Sequence, residues 1–285
     1  ASQLNKIDNQ KLAGFAIPFE KSVVQDFVKK LPFALTNAQR RAAWDILQDF
    51  ERAAPMNRLL QGDVGSGKTA IAILALTKIV ENGYQGALMA PTEVLAAQHF
   101  KTFQQVFKGM PVKTAYLSGH TKAAERKEIL EQLKDGSIHI LIGTHALIEE
   151  NVVFSALGLV ITDEQHRFGV KQRQALESKG KSPHVLIMTA TPIPRTMALS
   201  VYGDLDVSFI KGMPPGRHPV KTYVVGSHML QRIFRFMKKE MESGHQAYVV
   251  CPLVEQSEKQ DLAAAVSVYE ITCSPHLVWD WFTGE

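Results

Sequence analysis

Short apolar runs recur along most of the chain: Arg58–Gln61, Ala87–Ala90, Thr114–Leu117, Ile138–Ile142, Leu157–Ile161 and Val185–Met188. Each is four or five residues long, the length of a strand buried on both faces. Between most of them lie roughly 10–20 residues with helical spacing. Leu74, Ile79 and Val80 mark one such stretch, and Ile129, Leu130 and Leu133 another. Strand–helix alternation predicts an α/β fold, a parallel sheet covered by helices on both faces.

The pattern changes at Lys211-Gly212-Met213-Pro214-Pro215-Gly216-Arg217-His218-Pro219, which is dense in turn formers and reads as an interdomain linker (211–219). A strand (Tyr223–Val225), a helix (Met229 to Met241) and a strand (Ala247–Val250) are expected after it, the opening of a second, incomplete α/β unit over 220–277. Residues 1–30 carry little pattern and read as the remnant of an upstream domain. The first full domain is then 31–210. A length of 285 residues agrees with two domains.

Composition narrows the class. Hydrophobic residues are 45% and charged residues 21%, which argues against disorder and against a coiled coil. No run of about 18 apolar residues offers a membrane span. The start has neither an initiator Met nor a basic segment before an apolar core, so it reads as a cut from a longer chain rather than as a signal peptide. The net charge of +4 permits nucleic-acid binding without demanding it. Two cysteines, Cys251 and Cys273, are too few for a disulfide framework and fit the cytosol. None of the 10 histidines has metal-ligand spacing, so no transition-metal centre is expected.

The strongest chemical signal is Gly62-Asp63-Val64-Gly65-Ser66-Gly67-Lys68-Thr69, a complete G-x-x-x-x-G-K-[ST] between an expected strand and an expected helix. The glycines let backbone N–H groups converge on phosphate oxygens, and the helix adds its positive end. Lys68 reaches the β and γ phosphates, and the Thr69 hydroxyl can ligate Mg²⁺. Gly65 to Ala70 also satisfies the dinucleotide pattern G-x-G-x-x-A, with Glu93 downstream. That reading leaves Lys68 and Thr69 without a purpose and predicts no acidic metal site. Such a site is present: the apolar run Leu159–Ile161 leads through Thr162 into Asp163-Glu164. On a neighbouring strand of the sheet, Asp163 would hold Mg²⁺ through water, and Glu164 would orient or deprotonate an attacking water. ATP and Mg²⁺ are the expected cofactors.

Asp163-Glu164-Gln165-His166 resembles the D-E-x-H box of superfamily 2 helicases. Together with Arg167-Phe168-Gly169-Val170, the phosphate loop and Thr189-Ala190-Thr191-Pro192-Ile193-Pro194-Arg195-Thr196, it resembles the RecG family of bacterial ATP-dependent DNA helicases over roughly residues 31–270. The motor of the transcription-repair coupling factor shares two of these runs. Ser66, Gln165 and Pro214-Pro215-Gly216-Arg217-His218-Pro219 favour the RecG side.

The resemblance implies a RecA-like P-loop NTPase domain followed by the start of a second one. It gives Lys68, Glu164 and His166 catalytic roles, with His166 linking the γ-phosphate site to Thr189-Ala190-Thr191. It gives Gln39, in Thr36-Asn37-Ala38-Gln39, contact with the adenine edge; T-x-x-Q is equally a helix capping box, and both can hold. Pro91-Thr92-Glu93 through Gln98-His99 resembles motif Ia, and Gly143-Thr144-His145 motif Ib. Both suit phosphates of a tracked DNA strand, contacts blind to base sequence. Local capping or packing explains His99 and His145 as well. Thr189-Ala190-Thr191 resembles motif III, coupling nucleotide to DNA through its hydroxyls. Gln246–Leu253 resembles motif IV. Lys238-Lys239 and Arg40-Arg41 read as solvated helix faces.

The implied activity is ATP-driven translocation on branched DNA, at forks and Holliday junctions, in bacterial repair and recombination. The implied partners are DNA and, among proteins, single-strand binding protein and replication or repair factors; no membrane is involved, and the location is the bacterial cytosol or nucleoid. Nothing in the chain resembles motifs V and VI, whose arginine fingers contribute about 10³–10⁵ in rate in phosphoryl transfer generally. Poor turnover by this chain alone is therefore expected. The tail 278–285 does not resemble the family. Back-translated and read from the third base, Val278–Gly284 yields Leu, Met or Val, then Gly-Leu-Val, then His or Tyr, close to the family's Val-Gly-Leu-Val-His-Gly. The tail therefore reads as out-of-frame coding after a shift near Leu277.

Overall fold

The computed structural model describes residues 15–18, 34–164, 170–191, 205–212 and 220–250. The chain divides into two compact units, Ala1–Arg217 and His218–Glu285.

In the first unit the order is α1 (Asn37–Phe50), β1 (Asn57–Gly62), α2 (Lys68–Glu81), β2 (Gln85–Met89), α3 (Glu93–Val106), β3 (Thr114–Leu117), α4 (Ala123–Lys134), β4 (Ile140–Gly143), a 3₁₀ turn (His145–Ile148), β5 (Leu157–Asp163), α5 (Val170–Glu177), β6 (His184–Thr189) and β7 (Asp206–Ile210). The strands form one sheet in the order β3-β4-β2-β5-β6-β1-β7, and every pairing is parallel. All six apolar runs became strands. The seventh, β7, was not expected: Asp206-Val207-Ser208-Phe209-Ile210 lies on the sheet edge beside β1 alone and is only partly buried. An edge strand needs no continuous apolar run.

The period of two along the strands feeds two cores. Leu60, Leu88, Ile140, Ile142, Leu159, Ile161, Leu186 and Met188 meet α1, α2 and α3 on one face. Ala87, Met89, Leu141 and Val160 meet α4, α5 and the 3₁₀ turn on the other, and Leu59, Val185 and Ile187 extend that face toward Leu205. Each fully buried Leu or Ile contributes about 1.5–3 kcal/mol. Helix α2 is buried from Ala70 to Ile79, which is why its sequence is apolar nearly all round. It sits close on the sheet: a Cβ at Gly86 of β2 would lie 2.0 Å from Leu76 Cδ2. His184, at the start of β6, accepts a hydrogen bond from Met56 N–H at 2.9 Å and is ringed by Phe15 and Phe50. Burial pushes its pKa down to about 4.

The second unit holds a 3₁₀ turn (Ser227–Met229) and α6 (Leu230–Glu242), which buries none of its residues. The expected helix is present, and Lys238 and Lys239 face solvent. The expected strands at Tyr223–Val225 and Ala247–Val250 are irregular backbone instead. Val224 is 98% and Val250 92% exposed. A strand needs a neighbour for its ladder, and these segments pair with none among the described residues. Most of residues 1–30, Pro214 to Pro219, Cys251 to Leu253 and the tail from Val278 lie outside the described residues.

Candidate nucleotide site

The phosphate loop leaves β1 at Gly62 and enters α2 at Lys68. Two left-handed glycines shape it, Gly65 (φ 72°) and Gly67 (φ 92°), and Ser66 N–H closes a turn on Asp63 O at 3.0 Å. No side chain caps α2, so its first N–H groups remain available to an anion. Lys68 Nζ donates to Gly62 O (2.6 Å) and Asp63 O (3.1 Å), both within its own loop. Burial lowers the Lys68 pKa, while Asp163, Glu164 and Asp63 pull it back up. Asp163, at the end of β5, and Glu164, just after it, are therefore near enough to bias the charge of Lys68. Thr69 is half-buried beside Lys68, whereas Asp63, Val64 and Gly65 are exposed.

The acids do not stand on the strand next to β1, as the sequence suggested. Strand β6 lies between β5 and β1, so the two sides of the site are roughly two strand spacings apart, about 10 Å. That gap suits a triphosphate and its metal better than a direct ion pair. Asp163 is 8% exposed and Glu164 follows with φ 49°. A left-handed backbone at a residue other than glycine is strained, and such strain concentrates at functional sites. Glu164 N–H donates to Met188 O (3.0 Å) and to Asp163 Oδ1 (3.1 Å), and Ala190 N–H donates to Glu164 Oε1 (3.0 Å).

Within Thr189-Ala190-Thr191, the Ala190 amide meets the acid, and the two threonine hydroxyls bond each other (Thr189 Oγ1 to Thr191 Oγ1, 2.8 Å). His166 lies outside the described residues, as do Gln165 and Pro192 to Thr196.

Gln39 completes the capping box of α1: Thr36 N–H donates to Gln39 Oε1 (2.8 Å), and Gln39 N–H to Thr36 Oγ1 (3.2 Å). Its Nε2 donates to Ser66 O at 2.7 Å. Its carbonyl oxygen and one of its two N–H groups are thus engaged inside the protein, and the side chain braces the phosphate loop. This brace was not legible in T-x-x-Q.

Motif Ia follows β2. Thr92 caps α3 by accepting from Leu95 N–H at 3.3 Å. Pro91 and Glu93 are half-buried, and Gln98 is exposed. Glu93 takes His120 Nδ1 at 2.9 Å, and that bond holds the Glu93 carboxyl below its ordinary range. Motif Ib follows β4: Gly143 is pressed against Leu117 O and Leu147, Thr144 is buried, and His145 is exposed. His99 departs from its motif Ia reading. It is 8% exposed, and its Nε2 lies 2.7 Å from Asp163 Oδ2. The signal for it was available: Ala96, His99 and Phe103 form the buried stripe of α3, and a polar group in such a stripe needs a partner.

The residues present suit a magnesium nucleotide. Buried side-chain oxygens without a hydrogen-bond partner include Gln61 Oε1 on β1, Ser66 Oγ in the loop and Thr162 Oγ1 on β5. Among the described residues no group of three or more His, Cys, Asp or Glu could hold a metal alone. Mg²⁺ characteristically takes one or two protein ligands plus phosphate and water rather than an all-protein cage, which matches Thr69 and Asp163. No helix among the described residues is long and apolar enough to cross a membrane.

The chain is 52% identical over 266 residues to the ATP-dependent DNA helicase RecG of Bacillus subtilis, covering 93% of this chain and 39% of that protein. It is 48% identical over 270 residues to RecG of Thermotoga maritima, covering 95% and 35%. It therefore spans well under half the length of these relatives. The structure of RecG bound to a three-way DNA junction matches with a TM-score of 0.78 and 44% identity over 95% of this chain and 35% of that one. The helicase MrfA bound to DNA shares the fold, with a TM-score of 0.60 at 18% identity over 82% of this chain and 37% of that one. The family model for DEAD/DEAH box helicases matches residues 36–199. More than half of the chain falls in that match, from the cap of α1 to beyond Ala190, and the chain belongs to the DEAD/DEAH box helicase family.

Proposed function

We propose that this chain binds Mg²⁺–ATP between the phosphate loop and the β5 acids, as the ATP-binding part of a DNA helicase of the RecG type. The observation that supports the reading is the placement of Lys68 at the head of α2, directly after β1, with Asp163 and Glu164 at the end of β5 two strands away in the same parallel sheet; the pull of both carboxylates on the lysine agrees with it. The substrate would be branched DNA, contacted without regard to base sequence, in repair and recombination. Single-strand binding protein and repair factors would be its protein partners, and the bacterial cytosol its location.

In this mechanism the α2 N-terminus and the amides of Gly65 to Lys68 hold the phosphates, and Lys68 exchanges its bonds to Gly62 O and Asp63 O for the β and γ oxygens. Bound Mg²⁺, held by Thr69 and Asp163, would neutralise charge building on the transferring phosphoryl group. Glu164 accepts a proton from the attacking water, its carboxylate aimed by Ala190 N–H. Pro91, Thr92 and Glu93 follow the end of β2, with Gln98 on the exposed side of α3, and Gly143, Thr144 and His145 stand at the end of β4. The exposed groups among them would meet the sugar-phosphate backbone, and the buried Gly143 and Thr144 would shape the loop that presents them.

Calorimetric titration with Mg²⁺–ATP tests the nucleotide site. Removing a charged hydrogen-bonding partner costs about 2 kcal/mol, so Lys68→Ala should bind roughly 30-fold more weakly. Equal affinity in the variant would overturn the proposal.

A further inference from the structure

We infer that His99 is a positioning residue for the metal-binding carboxylate: it fixes the rotamer of Asp163 and thereby sets magnesium affinity. The inference rests on the reading of Asp163 as the carboxylate on the Mg²⁺ side.

The two oxygens of Asp163 have separate donors. Oδ1 accepts at 3.1 Å from Glu164 N–H of the same strand end, a donor it shares with Met188 O. Oδ2 lies 2.7 Å from His99 Nε2, which comes from α3 across the buried face of the sheet. With both oxygens engaged, the carboxylate plane is fixed without any metal. An ionised carboxylate is acceptor-only, so Nε2 carries the hydrogen in this pair. Both side chains are about a tenth exposed, so neither finds a competing water easily.

Helix α3 has little freedom to place His99 elsewhere. Thr92 caps its start, and Ala96 and Phe103, on the same stripe as His99, are fully buried. Ala96 and Phe103 supply apolar packing, whereas His99 supplies a donor. An apolar residue at 99 would pack as well and would leave Asp163 Oδ2 buried without its partner. Groups that orient a metal ligand from behind typically account for a 10- to 100-fold change in metal affinity.

The test is the effect of Mg²⁺ on ATP binding, read by calorimetry with ATP in excess EDTA and with ATP at graded Mg²⁺ concentrations. Four chains are compared: wild type, His99→Gln, His99→Asn and Asp163→Asn. Gln can carry an amide donor to the place of Nε2; Asn is too short. We expect equal ATP affinity in EDTA for wild type and both His99 variants. With Mg²⁺, His99→Asn should need about 10- to 100-fold more metal for half the effect, and His99→Gln should stay within a few-fold of wild type. Asp163→Asn should show no Mg²⁺ enhancement.

If Asp163→Asn loses the enhancement while both His99 variants keep the wild-type metal dependence, the positioning role is wrong and the metal site stands. Enhancement surviving in Asp163→Asn sinks the metal reading and this inference with it. Equal losses in His99→Gln and His99→Asn, with unchanged thermal unfolding, also refute positioning by the donor.

Discussion

The two halves of the sheet are built differently. Around β5, β6 and β1, the chemistry-bearing groups are tied to segments distant in sequence: Gln39 to Ser66 O, Ala190 N–H to Glu164, and Glu164 N–H to Met188 O. Around β3, β4 and β2, distant segments are tied as well, Gln85 to Leu133 O and Ile138 O and His120 to Glu93, but the groups at the strand ends are more open. Thr92 caps its own helix, Gln98 and His145 are exposed, and the ion pair of His120 with Glu93 lies at the surface. Charge development in phosphoryl transfer rewards groups already in place. A moving strand rewards contacts that are exposed and individually weak. The seam between the halves is β2 beside β5, and His99 crosses it.

Acid should separate the halves most strongly. Burial holds His184 at a pKa of about 4, against about 6.5 in the unfolded chain. As pH falls below 6.5 the unfolded chain takes up the proton first, so this stability is complete above 6.5 and is lost as pH falls through about 4. The full loss is about 3 kcal/mol. Urea midpoints of wild type and His184→Gln at pH 7 and pH 4.5 read it: the wild type should lose markedly more across that interval. Parallel losses would show that β6 is not the acid-sensitive strand.

A smaller effect probes the brace on the phosphate loop. Alanine at Gly67 would hold φ at 92° and bring its Cβ to 2.1 Å from Gln39 Nε2. The backbone alone costs about 1–2 kcal/mol, visible as a lower melting temperature and weaker ATP binding. In a Gln39→Ala background the same substitution should cost less, because the collision is gone and only the backbone strain remains. Identical costs in both backgrounds would deny Gln39 its part. The smallest effects belong to the other half. Gln98→Ala and His145→Ala should leave ATP affinity within twofold and weaken binding of a fluorescent DNA duplex about fivefold each, a hydrogen bond being worth about 1 kcal/mol. A drop in ATP affinity instead would erase the division.

Much of this was legible before any coordinates. The six buried strands announced themselves as apolar runs because both sheet faces are covered. The phosphate loop announced itself because the spacing of Gly62, Gly67, Lys68 and Thr69 is dictated by the anion. Strand order was not legible, since no local pattern says that β6 enters between β5 and β1. Strand β7 escaped because one edge and part of each face see water, which relaxes the demand for apolar residues. The contact of His99 with Asp163 escaped because the two are 64 residues apart and the family pattern offered DNA as a simpler destination. The strands expected near Tyr223 and Val250 had the right residues, yet β-branched composition makes no ladder without a neighbour.

The close seat of α2 on the sheet has a mechanical corollary. With Gly86 at the contact, Leu76 reaches nearly to the β2 backbone, and ten consecutive buried residues of α2 leave no slack around it. The rod that begins at Lys68 therefore cannot slide along its axis without dragging β2. Strand β2 runs on into Pro91 and Thr92. Under the proposed function, a push delivered by a phosphate at one end of α2 would reach Pro91 and Thr92 as a displacement of solid parts, with little lost as play in the joint.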